Sequence, residues 1–119
     1  MDNINVKKIN DLVSKFNEER DWDQFHSIKN LSMALSVEAS ELVEIFQWLK
    51  ESESNEVIND PELKSRVEEE ISDIFIYLMR IAFKSGIDIE SSVMKKIKLN
   101  SEKYPIEKAK GSAKKYSEL

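Results

Sequence analysis

The stretch from Ile71 to Phe83 constrains this chain more than any other. It reads ISDIFIYLMRIAF and, wound as a helix, is apolar on nearly every face. A helix of that kind must be covered all round. Asp60-Pro61-Glu62 marks its start: Asp60 can cap the free amides, and Pro61 suits the first helical position. The helix should run to about Ser85, with Gly86 just past its end, where glycine is favoured. At 119 residues the chain is one domain by size, and a four-helix monomer that small rarely buries one helix completely. Two arrangements satisfy the pattern. Either this helix lies at the subunit interface of a homo-oligomer, or it is a central helix covered by the first helix and the tail.

The other segments are also helical. Two glycines and two prolines in the whole chain leave few turn residues among many helix formers, so the expected class is all-α. Ile4, Ile9, Leu12, Val13 and Phe16 trace a stripe on a first helix from about Asn3 to Arg20. RDWDQFHS follows and reads as a structured loop holding the only histidine. A second helix is expected from about Ile28 to Glu51, then a polar loop, SESNEVIND. Asp88 can cap a last helix to about Lys103, which Pro105 stops. Residues 1–105 form the expected domain. The lysine-rich tail 106–119 is expected to be mobile or to dock on a partner subunit.

Charge and composition exclude several classes. A net charge of -5 disfavours a broad grip on a DNA or RNA backbone. The absence of cysteine removes disulfides, thiolate zinc sites and a cysteine nucleophile, and fits a cytoplasmic protein. MDNINVKKIN has no apolar core of a secretory signal. IFIYLMRIAF, interrupted by Arg80, is too short to span a bilayer. No glycine-rich phosphate loop, dinucleotide fingerprint or Ser-His-Asp set is readable.

Two carboxylate pairs carry the chemistry. Glu38 and Glu41 stand three apart in VEASELVE, and Glu70 and Asp73 three apart in EEEISDIF. Residues so spaced share a helix face. A single pair of this kind is usually a solvated surface, and Glu38, Glu41 and Glu44 alone would be read that way. The second pair differs, because Asp73 sits among Ile74, Phe75 and Ile76, where a carboxylate is costly without a partner. If the two helices pack face to face, four acids converge and require protons, cations or metal. An all-oxygen set suits Mg²⁺, with Mn²⁺ as substitute. A di-iron bundle would need Glu-x-x-His motifs, and His26 is not in one.

Other residues offer contacts to a ligand. Lys96, Asn100 and Tyr104 fall on one helix face, either as a phosphate and sugar strip or as a solvent face with Tyr104 packing. Tyr77 lies one turn beyond Asp73. Trp22, Phe25, His26 and Trp48 are aromatic groups that stack on a base or simply pack.

Taken in order, ERDWDQFHSIKNL, VEASELVEIFQW, EEISDIFIYL and KIKLNSEKYP resemble the MazG-type all-α nucleoside triphosphate pyrophosphohydrolases, and within them the dCTP pyrophosphatase branch. The resemblance spans roughly residues 18–105, leaving the tail outside it. It implies a four-helix MazG-like bundle completed by homo-oligomerisation, as a tetramer or dimer, with sites at subunit interfaces. It implies Mg²⁺-dependent cleavage of a nucleoside triphosphate, dCTP-like, to monophosphate and pyrophosphate in pool cleansing. Glu38, Glu41, Glu70 and Asp73 would hold the metal. Trp22, His26, Trp48 and Tyr77 would form the nucleotide pocket, and Lys29, Lys96, Asn100 and Tyr104 would contact phosphates or sugar. One of the acids, or Glu44, would orient the attacking water. Against this stands a non-catalytic oligomeric helical interaction protein, in which the acids are a solvated face. Neither reading involves polymeric nucleic acid or a membrane.

Overall fold

A computed structural model describes residues 3–119; residues 1 and 2 of the expected domain lie outside it. The described residues are helical with no strand: α1 (Val6–Glu19), α2 (Ile28–Phe46), α3 (Glu51–Ser54), α4 (Pro61–Lys84), α5 (Ile89–Lys103) and α6 (Ile106–Ala109). Short 3₁₀ turns occupy Asp23–Phe25, Asn55–Asn59 and Tyr116–Glu118. The chain divides after Ser85 into two compact units.

Capping side chains set the helix starts. Asn5 Oδ1 accepts from Lys8 N–H at 3.0 Å, Ser27 Oγ from Asn30 at 3.0 Å, and Asp60 Oδ1 from Leu63 at 3.1 Å. Asp88 Oδ1 accepts from Ser91 at 2.9 Å and begins α5. Each satisfies one of the amides that a first helical turn leaves free. Gly86 follows α4 with φ of +65°, a conformation that glycine adopts without steric cost.

In the N-terminal unit, α2 packs along α4. Leu31 of α2 lines one cavity with Ile76, Tyr77 and Arg80 of α4, and Glu41 and Ile45 line another with Arg66, Glu69 and Glu70, so the two helices run antiparallel. Leu31 (1% exposed), Ile45, Met79 (0%) and Ala82 form the buried apolar core. The polar tie to α1 is Arg80. Its Nη1 donates to Asn10 Oδ1 at 3.0 Å and to Ser14 Oγ at 2.8 Å. Its Nη2 lies 3.6 Å from Asp23 Oδ1.

Three expectations change. The second helix stops at Phe46 rather than Glu51: the chain turns at 47–49, and Lys50 is extended (φ −71°, ψ 158°). The polar segment SESNEVIND is not a loop. Glu53 Oε1 accepts from Lys50 N–H at 2.9 Å, Ser54 Oγ donates to Glu51 O, and Asn59 donates to Glu56. These local bonds hold α3 and the following 3₁₀ turn. Finally, the single chain does not wrap α4 on all sides, since Ile71, Leu78 and Phe83 are exposed.

The C-terminal unit holds α5, α6 and the last turn. Tyr116 meets the Tyr104 ring edge-on at 6.2 Å, with Lys103 Nζ 4.9 Å from the Tyr116 ring centre. Among the described residues no helix is long and apolar enough to cross a membrane.

Candidate active site

The antiparallel register of α2 and α4 brings the two acidic pairs together. Glu38, Glu41 and Glu70 each offer a carboxylate oxygen within 4.8 Å of the others. Asp73 lies outside that group, one turn along α4, yet its charge is felt at Glu38 and at Glu70. Glu38 Oε2 and Glu70 Oε2 are closed off from solvent with no donor opposite them. Such oxygens are costly unless a proton or cation satisfies them.

The proton affinities reflect this crowding. Glu38 is pushed up from 4.5 to about 7, first by desolvation, then by sharing hydrogen bonds with Glu41 and Glu70, and by the charges of Glu41 and Asp73. Glu70 is pulled down by its hydrogen bond with Glu38, but desolvation, Glu41 and Asp73 outweigh that and leave it raised. A cluster that holds a proton near neutrality is one that a divalent cation can discharge. The donors are all carboxylate oxygens, with no imidazole or thiolate among them, and fit a hard cation. On the α3 side, Glu44, Arg66 and Glu69 extend the polar seam.

On the other side of Asp73 lies a cavity of about 440 Å³, in the range of small-ligand sites. Leu12, Val13 and Phe16 of α1 and Leu31 of α2 supply apolar wall, and Trp22, His26, Asp73 and Tyr77 also line it. The tight turn after α1 places the tryptophan. Asp21 takes φ of +53°, a left-handed conformation that aspartate tolerates better than most residues. Trp22 N–H then donates back to Asn17 O at 2.9 Å, and its ring packs edge-on to Phe16 at 5.5 Å. α4 holds the same turn from the far side, through Arg80 to Asp23 and through Lys84 Nζ to His26 O at 2.6 Å. The Tyr77 hydroxyl is raised above 10.0, by burial first and then by the charges of Glu38, Asp73 and Glu41, so it stays a donor.

Of the residues expected at the site, the structure gathers Glu38, Glu41 and Glu70 in one group, and Trp22, His26, Asp73 and Tyr77 around one cavity. Lys29 is on the first turn of α2, exposed and not on the cavity wall. Trp48, 87% exposed in the single chain, also stands off it. Lys96, Asn100 and Tyr104 belong to the C-terminal unit, where Tyr104 ends α5 with its N–H donating to Asn100 O at 2.8 Å. Sequence reasoning missed Asn17 and Arg80 as wall residues. For Arg80 the signal was present, since a cation in an apolar helix needs partners as much as Asp73 does.

Comparison with known proteins identifies the family. The chain belongs to the MazG-like family, whose profile matches residues 33–119, the C-terminal segment included. It is similar to dCTP pyrophosphatase 1 of Rattus norvegicus, 38% identical over 114 residues, covering 96% of this chain and 67% of the rat protein. The Homo sapiens dCTP pyrophosphatase 1 matches at the same identity and coverage. Among solved structures, a pyrophosphatase from Archaeoglobus fulgidus superposes with a TM-score of 0.77 at 35% identity, over 88% of this chain and 96% of that one.

Proposed function

We propose that this chain hydrolyses a dCTP-like deoxynucleoside triphosphate to the monophosphate and pyrophosphate with Mg²⁺, in cleansing of the cytoplasmic nucleotide pool. It is a nucleoside triphosphate pyrophosphohydrolase of the MazG-like family. One observation carries the finer reading: a half-buried acidic cluster with unsatisfied oxygens lies next to an aromatic cavity, with Asp73 on the cavity wall and its charge felt in the cluster. A solvated acidic face, as the interaction-protein alternative requires, would leave no buried oxygen unpartnered.

Glu38, Glu41 and Glu70 would hold the cation, with Asp73 as fourth ligand. A Mg²⁺ bound there would offset phosphate charge and polarise the scissile phosphoryl group. The protein's own groups do the rest. Trp22 presents a ring to the base, Tyr77 keeps a hydroxyl donor beside Asp73, and the apolar wall excludes water around the base. An acid of the cluster, or Glu44, orients the attacking water. Lys29, Trp48, Lys96, Asn100 and Tyr104 are proposed substrate contacts on the family resemblance alone.

The working form is a homo-oligomer, a tetramer or a dimer. Ile71, Leu78 and Phe83 on α4, with Val37 and Val43 on α2, are exposed in the single chain, more apolar surface than a soluble monomer tends to leave open.

Product analysis with each common dNTP and NTP in Mg²⁺ tests the reading. Monophosphate and pyrophosphate, lost on chelation, are expected. Diphosphate and orthophosphate, or chelation-resistant turnover, would overturn it.

A further inference from the structure

Two asparagines of α1 are buried, Asn10 and Asn17. They stand seven apart and so share one face of the helix. Asn10 is used inside the protein, its Oδ1 accepting from Arg80. Asn17, only 4% exposed, is not. Its backbone carbonyl accepts from Arg20 N–H at 3.3 Å and Trp22 N–H at 2.9 Å, but its carboxamide has no hydrogen-bond partner among the described residues. Asn17 is in the wall of the cavity, with Trp22, His26 and Tyr77.

The Asn17 amide is not among the side-chain groups sealed from solvent without a partner, so it opens to the cavity, where a ligand that supplies its partners takes the place of water. A carboxamide offers one acceptor and two donors in a plane. The edge of a nucleobase presents a matching donor beside an acceptor, as the amino group and ring nitrogen of cytosine do. The same residue's carbonyl fixes Trp22 by the 2.9 Å bond, so the group that faces an edge and the ring that faces a base plane are set in one rigid turn.

We infer that Asn17 is a specificity-determining residue, pairing through its side-chain amide with the hydrogen-bonding edge of the base while Trp22 stacks on its face. The inference rests on the reading of the cavity as the nucleotide pocket. An apolar pocket alone discriminates weakly between bases. A pocket with a polar group that one base satisfies and another leaves unpaired discriminates far more strongly.

The test measures kcat and KM of the wild type, Asn17→Leu and Asn17→Ala with the four dNTPs and with the abasic deoxyribose triphosphate. Leucine keeps the volume and removes the amide. Both variants are expected to lose about 10- to 100-fold in kcat/KM for the preferred dNTP, mainly through KM. The spread between bases should shrink, and the abasic compound should be cleaved as by the wild type. Their melting temperatures should stay level or rise, because no internal bond is lost. Unchanged base ranking and KM in active variants would overturn the inference alone. So would an equal loss on every substrate with a lowered melting temperature, the mark of a structural role. No turnover of any nucleotide by the wild type would remove the function proposed above and this inference with it.

Discussion

The acidic seam and the aromatic cavity share α4 but are finished to different degrees. Around the cavity, the buried cation Arg80 has Asn10, Ser14 and Asp23 as partners, and the Trp22 turn is bonded to α1 and held by α4. In the seam, three carboxylates crowd together and two of their oxygens face no donor. The cavity side is tied together within the chain and leaves only neutral groups and one guanidinium nitrogen open, the Asn17 amide, His26 Nδ1 and Arg80 Nε; the seam leaves carboxylate oxygens for something charged to complete. A preformed pocket beside an uncompensated anionic cluster suits a ligand whose two halves differ, a flat base and a polyanion that arrives with its cation.

The contrast is broken most sharply at the seam. Glu41→Gln and Asp73→Asn are each expected to lower turnover on the order of 10³-fold or more, since several kcal/mol of charge stabilisation depend on the metal. Circular dichroism and the melting curve should remain those of a folded protein. Turnover by Asp73→Asn at close to the wild-type rate in Mg²⁺ would remove Asp73 from the ligand set.

On the cavity side the largest effect is on stability. Arg80→Ala strands Asn10 and Ser14, and is expected to cost about 2–3 kcal/mol in denaturant unfolding. The Asp23 pair adds little, because Asp23 is well exposed. Replacements in the seam should act in the opposite sense. Glu38→Gln removes a crowded charge and should leave the metal-free protein as stable as the wild type or more so at neutral pH.

Cation and pH sharpen the same comparison. Glu38 is raised from 4.5 to about 7 in the folded chain. Between those values the folded state holds more protons than the unfolded, so metal-free stability falls as pH rises through that window. Mg²⁺ or Mn²⁺ at 100 times its Kd should restore about 2.7 kcal/mol. That gain should shrink as pH drops below about 7, where protons compete for Glu38. Thermal melts with and without chelator, across pH, measure both. A gain independent of pH, matched by equal ionic strength of NaCl, would mean simple screening.

Helix starts and the acidic pairs were legible because they depend on neighbours in sequence. Asp60 and Asp88 cap as their positions predict, and i, i+3 spacing sets each pair on one face. What stayed hidden depends on distant partners or on weak local choices. The end of α2 at Phe46 comes from a turn that no glycine or proline marks. Asn10 and Asn17 look alike in sequence, and only Arg80, seventy residues from Asn10, separates the used amide from the free one. The separation of Asp73 from the three gathered glutamates is likewise a matter of register between helices, which spacing within one helix does not contain.

Trp48 gives the smallest expected effect on the chain itself and the clearest reading of what lies beyond it. At 87% exposed it contributes little to a single chain, and Trp48→Ala should change unfolding free energy by less than about 0.5 kcal/mol if the ring stays in solvent. The proposed oligomer places a different demand on it. If assembly carries Trp48 to a nucleotide pocket, the substitution should raise KM while the internal cavity, lined by Trp22 and Tyr77, is untouched. Sedimentation of the variant at falling concentration, run beside KM, separates the cases. A KM that rises with the assembly intact makes Trp48 a substrate contact, and one that rises only as the assembly dissociates makes it interface. An unchanged KM and mass would leave the base to the wall formed by α1, the Trp22 turn and α4.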